Sequence, residues 1–173
     1  MANKNTQGFG LIPGDRLGNT PAISGQSKYF IDAGVAGAIY NGSAVKSAAG
    51  YIVNGQGSAA PVVGVLNGVF FNAATTLKPT FANFYSGSIT PANSEDITAF
   101  VNDDPFQNYI VATDDAVAQA GYLETYDMNT TAGSSTTGKS SATLDIGTTG
   151  ADDKQYRLLR SAEDPSNDTN AAF

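Results

Sequence analysis

Cysteine, histidine and tryptophan are all absent from this chain of 173 residues. Without cysteine there is no disulfide and no thiolate site, so the redox compartment cannot be read from the sequence. Without histidine the chain lacks the commonest general base and the commonest metal ligand. These absences weigh against an enzyme. We expect no catalytic residue, no cofactor and no bound metal ion.

Charge is also scarce. Nine basic residues face sixteen acidic ones, for a formal net charge of −7, and only 14% of residues are charged, against about 25% in an average domain. Nucleic-acid binding needs a basic surface, so no nucleic-acid partner is expected. The first ten residues hold one lysine and no apolar stretch, which is unlike a secretory signal. No segment reaches the roughly 18 apolar residues of a membrane span, so no membrane partner is expected either.

Short apolar runs are the main pattern in the sequence. Nineteen glycines and seven prolines interrupt the chain too often for long helices. Valine, isoleucine, phenylalanine and tyrosine are concentrated between these breaks, as is typical of strands. The candidate strands are 28–31, 37–40, 43–48, 50–53, 62–71, 80–84, 96–101, 106–113, 121–127, 141–146 and 155–161. The sequence predicts an all-β fold, a small β-barrel or β-sandwich with long loops and at most one or two short helices.

Several turn signals divide these runs. Asn-Gly pairs at 41–42, 54–55 and 67–68 predict the hairpins of a meander. The third pair lies inside an apolar run, so it is alternatively a bulge. Asp103-Asp104-Pro105 predicts a tight turn between two strands. One short helix is predicted from Asp114 or Asp115 as the N-cap to Gly121 as the stop.

The domain organisation follows from composition. Residues 1–27, rich in Gly, Asn and Ser, predict an extended N-terminal arm that lies on a neighbour, or alternatively a disordered tail. Residues 28–173 are predicted to form a single β-rich domain. The apolar anchors of the arm are the candidate contacts with a neighbouring subunit: Phe9, Leu11, Ile12, Leu17 and Ile23.

A phosphate-loop pattern, GSSTTGKS, occurs at 133–140. In a nucleotide-binding protein this pattern would place Lys139 on the β and γ phosphates. The motif must then follow a buried strand and open a helix, and neither feature is present in the flanking sequence. We therefore interpret 129–141 as a long exposed loop that binds no nucleotide.

Three pairs of adjacent aspartates are candidate calcium ligands: Asp103-Asp104, Asp114-Asp115 and Asp152-Asp153. Calcium loops place their acidic ligands at alternate positions before a glycine, and none of these pairs has that spacing. Aspartate in turns and helix caps accepts hydrogen bonds from its own backbone, and this is the role that the pattern favours.

Beyond these local signals, most of the chain resembles the small virion proteins of tailed bacteriophages, including marine ones, known as capsid cement or decoration proteins. The resemblance is carried by MANKNTQGFGLIP (1–13), VVGVLNGVFF (62–71) and KPTFANF (78–84), by ITAFVNDDPFQNYIVATDD (97–115), and by AGSSTTGKSSATLDIGTTG (132–150) and RLLRSAEDPSNDTN (157–170). These motifs are structural, so the resemblance implies a place in the virion and no active site.

The function that the resemblance implies is capsid decoration. The protein would be a structural protein on the outer surface of the capsid, where it bridges major capsid protein subunits and stabilises the head. Its expected partners are the major capsid protein and further copies of itself, as a homo-oligomer, with a trimer placed ahead of a dimer. The alternative from another class is a tail, fibre or adhesin-type β module that binds a host glycan or protein. A small enzyme is the third possibility.

Overall fold

The computed structural model describes residues 7–18, 25–57, 60–148 and 154–162. The strands are β1 (Ile12–Arg16), β2 (Ser27–Ile31), β3 (Ala44–Ala48), β4 (Tyr51–Asn54), β5 (Val62–Asn72), β6 (Pro79–Ala82), β7 (Ile97–Asn102), β8 (Gln107–Ile110), β9 (Thr125–Met128), β10 (Leu144–Asp145) and β11 (Tyr156–Arg157). In these ranges the helical elements are single 3-10 turns, at Ala92–Ser94, Gln119–Gly121 and Ile146–Thr148. The prediction of an all-β fold is confirmed.

One antiparallel sheet forms the body of the molecule, in the order β2-β7-β5-β3-β4, and β6 pairs with the second half of β5. β7 alternates as its sequence predicts: Ile97, Ala99 and Val101 are buried, and the residues between them are partly exposed. The buried face of this sheet makes the first core. Its members are Ile31, Ile39, Val45, Ile52, Leu66, Val69, Tyr85, Ile97, Ala99 and Val101.

The sheet curves around this core. β2 and β4, at its two ends, also contact each other. They form no hydrogen-bonded ladder, so no barrel closes in the described part of the chain. The β-barrel, one of the two architectures that the sequence predicts, is therefore not formed in the described part of the chain, which consists of open antiparallel sheets.

A second core lies on the outer face of the same sheet. Two smaller antiparallel sheets, β1-β8 and β10-β9-β11, complete the described strands. The second core is formed by Leu11, Ala44, Val65, Tyr126, Met128, Ala142 and Leu144. Because successive strand residues point to opposite faces, the side chain of Ala44 lies in the second core and that of its neighbour Val45 lies in the first.

The N-terminal segment is partly built into this body. β1 pairs with β8, and Leu11 is buried in the second core. Residues 7–18 are therefore part of the domain, although composition alone predicts an arm over 1–27. Apolar contacts that are distant in sequence outweigh the local Gly-rich composition here. Residues 1–6 and 19–24 lie outside the described residues, so the arm remains a prediction for them.

The predicted helix near Asp114 is wrong. Asp115 accepts a hydrogen bond from the backbone N–H of Ala116 at 2.7 Å, yet only a single 3-10 turn forms, at Gln119–Gly121. A body of about six residues forms too few helical hydrogen bonds to offset the cost of nucleation.

None of the three Asn-Gly pairs closes a hairpin. β3 and β4 are instead joined by Ala49 and Gly50, both at positive φ (50° and 88°), as a two-residue hairpin turn requires. The meander predicted from Asn41-Gly42 and Asn54-Gly55 is therefore wrong. Asn67-Gly68 coincides with a shift of register between β5 and β7, so the alternative prediction of a bulge is confirmed.

The turn at Asp103-Asp104-Pro105 is confirmed. The Oδ1 atom of Asp104 accepts the backbone N–H of Phe106 at 2.9 Å, and the Asp104 carbonyl accepts that of Gln107. The two strands that it joins do not pair with each other: β7 belongs to the main sheet and β8 pairs with β1. The turn therefore carries the chain from one sheet to another.

Candidate interaction surfaces

Four exposed apolar side chains lie together on the β1–β8 ladder. Ile12 pairs directly with Ile110, and the backbone N–H of Leu17 donates to the Phe106 carbonyl at 2.7 Å. The exposed fractions are 46% for Ile12, 59% for Leu17, 55% for Phe106 and 48% for Ile110. We call these four residues the ladder patch. Clustered exposed apolar side chains of this kind mark binding surfaces more often than scattered ones do.

The backbone beneath the ladder patch is held by a buried amide. Gln107 is 8% exposed, and its Nε2 donates to the carbonyls of Gly14 at 2.8 Å and Asp15 at 3.3 Å. At the same level the Arg16 Nε lies 2.8 Å from the Asp104 Oδ2. These contacts hold β1 and β8 together across the irregular register between them. Hydrogen bonds and an ion pair therefore fix the backbone beneath the ladder patch.

The structure divides the five contact residues that the sequence predicts. Ile12 and Leu17 belong to the ladder patch, whereas Phe9 is half-buried and Leu11 is 3% exposed in the second core. Leu11 is therefore not available to a neighbour. Ile23 lies outside the described residues.

Two members of the patch, Phe106 and Ile110, were missed at the sequence level. Their alternation in 106–113 does place them on one face of a strand. The alternation does not determine which face of β8 is buried, because burial depends on the pairing of β8 with β1.

A second exposed apolar surface lies on the outer face of the main sheet. Phe30 pairs with Thr98, Thr98 with Phe70, and Phe70 with Phe81, which makes one row across four strands. The exposed fractions are 51% for Phe30, 37% for Phe70 and 63% for Phe81.

Phe100 continues this surface in the next row, where its ring centroid lies 6.1 Å from that of Phe81. Gly68, which pairs with Phe100, leaves the space that the Phe81 ring occupies, since a Cβ at Gly68 would lie 2.6 Å from that ring. We call Phe30, Phe70, Phe81 and Phe100 the aromatic face.

Charges of opposite sign flank the aromatic face along the strand direction. Lys28 pairs with Phe100 at one end. At the other end Glu95 accepts from the Asn72 side chain at 3.5 Å, and Asp96 accepts from the Tyr51 hydroxyl at 3.3 Å. The negative charge of Asp96 raises the pKa of Tyr51, and its hydrogen bond with that hydroxyl and the nearby Asp32 raise it further. We call Asp32, Glu95 and Asp96 the acidic end.

An open groove of about 1000 Å³ lies beside the ladder, between β8 and residues 154–162. Tyr109 and Tyr156 line it. Burial, with smaller contributions from Asp104 and Asp103, raises the pKa of Tyr109 to about 12. Burial is also the main cause that raises the pKa of Tyr156 well above its ordinary value. Both phenols are therefore uncharged at neutral pH.

The buried hydroxyl of Tyr156 has no hydrogen-bond partner among the described residues. A buried polar group left unpaired costs about 1 to 3 kcal/mol. We therefore expect Tyr156→Phe to raise the free energy of unfolding by about 1 kcal/mol. Tyr126→Phe is the matched variant, because the Tyr126 hydroxyl donates to the Gly121 carbonyl at 2.8 Å. It should lower the free energy of unfolding by about 1 kcal/mol.

Urea titration of both variants with the parent chain measures this difference. Equal destabilisation by the two substitutions would show that the hydroxyl of Tyr156 is satisfied in solution.

Residues 133–140 do not have the geometry of a phosphate loop. The backbone N–H of Ser134 donates to the Lys139 carbonyl at 2.9 Å, and that of Gly138 donates to the Ser134 carbonyl at 2.7 Å. These amides thus point into the loop, whereas a phosphate loop directs its amides at the ligand. Lys139 is exposed, which confirms its predicted position in a solvent-exposed loop.

One aspartate of each described pair makes a turn contact, and the other accepts a hydrogen bond from a residue distant in sequence. Asp104 and Asp115 accept backbone N–H groups one or two residues away, and Asp114 accepts the N–H of Ile146 at 2.9 Å. Asp152-Asp153 lies outside the described residues. In the described ranges no group of three or more acidic side chains is placed to hold a metal ion. Those ranges also contain no helix that is long and apolar enough to span a membrane.

No protein-family model, curated protein or solved structure matches the chain. The resemblance to capsid cement proteins therefore rests on the sequence motifs given above.

Proposed function

We propose that this chain is a structural virion protein that binds the outer surface of a bacteriophage capsid and bridges major capsid protein subunits. The observation that carries the proposal is the ladder patch. A protein partner can cover the large apolar side chains that this ladder exposes. Such contact is favourable because apolar contact area provides much of the free energy of association.

The rest of the surface suits the same role. Only 14% of residues are charged and the net charge is −7, a balance opposite to that of proteins that bind nucleic acid. Segment 97–115, one of the motifs that resemble cement proteins, forms β7, β8 and the turn between them. The major capsid protein is the partner that this resemblance implies.

The energetic basis is linkage between binding and assembly. Packaged DNA pushes outward on the capsid, so the seams between subunits are where rupture begins. A protein that binds only the assembled lattice shifts the equilibrium toward the intact head. Each ladder patch is small, but many copies on a symmetric lattice multiply the effect.

Cryo-electron microscopy of the virion, combined with heat challenge of heads that lack this protein, tests the proposal. We expect density for the β body on the outside of the capsid, with the β1–β8 ladder turned toward the capsid protein. Depleted heads should release their DNA at a lower temperature than complete heads. Density in the tail alone would favour the fibre or adhesin alternative, and equally robust depleted heads would contradict a stabilising role.

A further inference from the structure

We propose that the aromatic face packs against the aromatic face of a second copy of this chain, forming a two-fold dimer in which the two main sheets make a sandwich. The proposal concerns a different surface from the ladder patch and does not depend on capsid binding. It replaces the trimer that the sequence analysis places first.

The aromatic face is the half of the outer sheet surface that the described residues leave open. The other half, at Ala44 and Val65, is covered by the smaller sheets of the second core. A sheet with apolar residues on a face is stable when another layer covers that face. The exposure of Phe30 and Phe81, at 51% and 63%, shows that the rest of the described chain does not provide this layer.

The rings of the face stand in one row across the sheet, where Phe30 and Phe70 flank the shorter Thr98. A two-fold axis along this row sets each ring opposite the same ring of the second copy, in the layer between two sheets stacked about 10 Å apart.

Charge selects the orientation of the two copies. Lys28 and Asp96 are separated by the rows of the aromatic face, roughly 13 Å along the strands at about 3.3 Å per residue. An antiparallel two-fold arrangement places Lys28 of each copy opposite the acidic end of the other. A parallel arrangement would oppose Lys28 to Lys28. In the antiparallel dimer, each charged end of the aromatic face therefore lies opposite the opposite charge. A partner of uniform charge would match only one of the two ends.

The exposed area sets the strength of the association. The free surface of Phe30, Phe70 and Phe81 together equals about one and a half rings, or roughly 300 Å² at about 200 Å² per aromatic side chain. A standard stable interface buries about 800 Å² on each partner. We therefore expect reversible dimers whose population rises with concentration.

Sedimentation velocity of the full chain over a wide concentration range tests the proposal. The weight-average mass should rise toward that of a dimer. The double variant Phe30→Ser, Phe81→Ser should stay near the monomer mass throughout. Phe106→Ser, which alters only the ladder patch, should keep the parent concentration dependence. A capsid-binding defect in Phe106→Ser with normal dimerisation would separate the two surfaces, so either proposal can fail alone.

A charge swap keeps the test independent of folding defects, because Lys28 and Glu95 are both exposed. Lys28→Glu alone should raise the dimer dissociation constant several-fold, and adding Glu95→Lys should restore most of the loss. A chain that is monomeric at all concentrations, a trimer, an aromatic-face variant that dimerises normally or a swap without recovery would each overturn the two-fold sandwich.

Discussion

The double variant Ile12→Asp, Phe106→Asp is expected to bind capsids at least tenfold more weakly than the parent chain. Ile12 and Phe106 are 46% and 55% exposed, so neither substitution opens a cavity in the core. In a complex, however, each aspartate would bury a charge in an apolar contact. Burial of an unpaired charge costs far more than the roughly 1.4 kcal/mol of a tenfold loss.

The measurement is co-sedimentation of labelled protein with capsids that lack it, over a series of protein concentrations. Leu77→Asp is the matched control. Leu77 is 70% exposed, lies in the turn between β5 and β6, and has a φ of 54° that aspartate tolerates. The control should bind as the parent does. Equal binding by the parent chain and the double variant would remove the ladder patch from the proposed contact.

Gly64→Ala is expected to lower the free energy of unfolding by about 3 kcal/mol, the upper range for overpacking a core. A Cβ at Gly64 would lie 2.3 Å from the carbonyl oxygen of Asn102 and 2.7 Å from the Cγ1 of Val101. The first of these atoms is backbone of the neighbouring strand β7, so β5 and β7 must separate. That carbonyl also accepts the Tyr109 hydroxyl at 3.2 Å, and the shift would strain this bond.

Gly25→Ala is the control for the general effect of replacing glycine. A Cβ at Gly25 meets no atom within 4 Å. We expect a change of no more than about 0.5 kcal/mol there, as for other surface substitutions. Denaturant unfolding with a common slope for all variants gives both values. A Gly64→Ala chain as stable as Gly25→Ala would mean that β5 and β7 do not approach so closely in solution.

Sequence patterns predicted only some of the residues in the two candidate surfaces. Ile12 and Leu17 were predicted contacts from their isolation among polar residues, and both are exposed. Leu11, predicted on the same grounds, is buried, because Ala142 and Leu144 come from more than a hundred residues away to cover it.

The aromatic-rich sequence around Phe70 and Phe81 predicts core packing first and a subunit interface second, and both rings are exposed. The grouping of Phe30 and Phe100 with them was not predicted. It depends on the pairing of β2, β5, β6 and β7, and pairing between distant strands leaves no local signal.

The sequence by itself determined the all-β class, the alternation of β7, the turn at Asp103-Pro105 and the bulge at Asn67-Gly68. These features follow from side-chain periodicity and backbone preferences within a few residues. Only the tertiary structure decided that β7 and β8 enter different sheets and that Ala49-Gly50 closes the hairpin. It also decided which half of the outer sheet stays open. Those outcomes depend on which distant apolar faces bury one another, and burial is a property of the assembled chain.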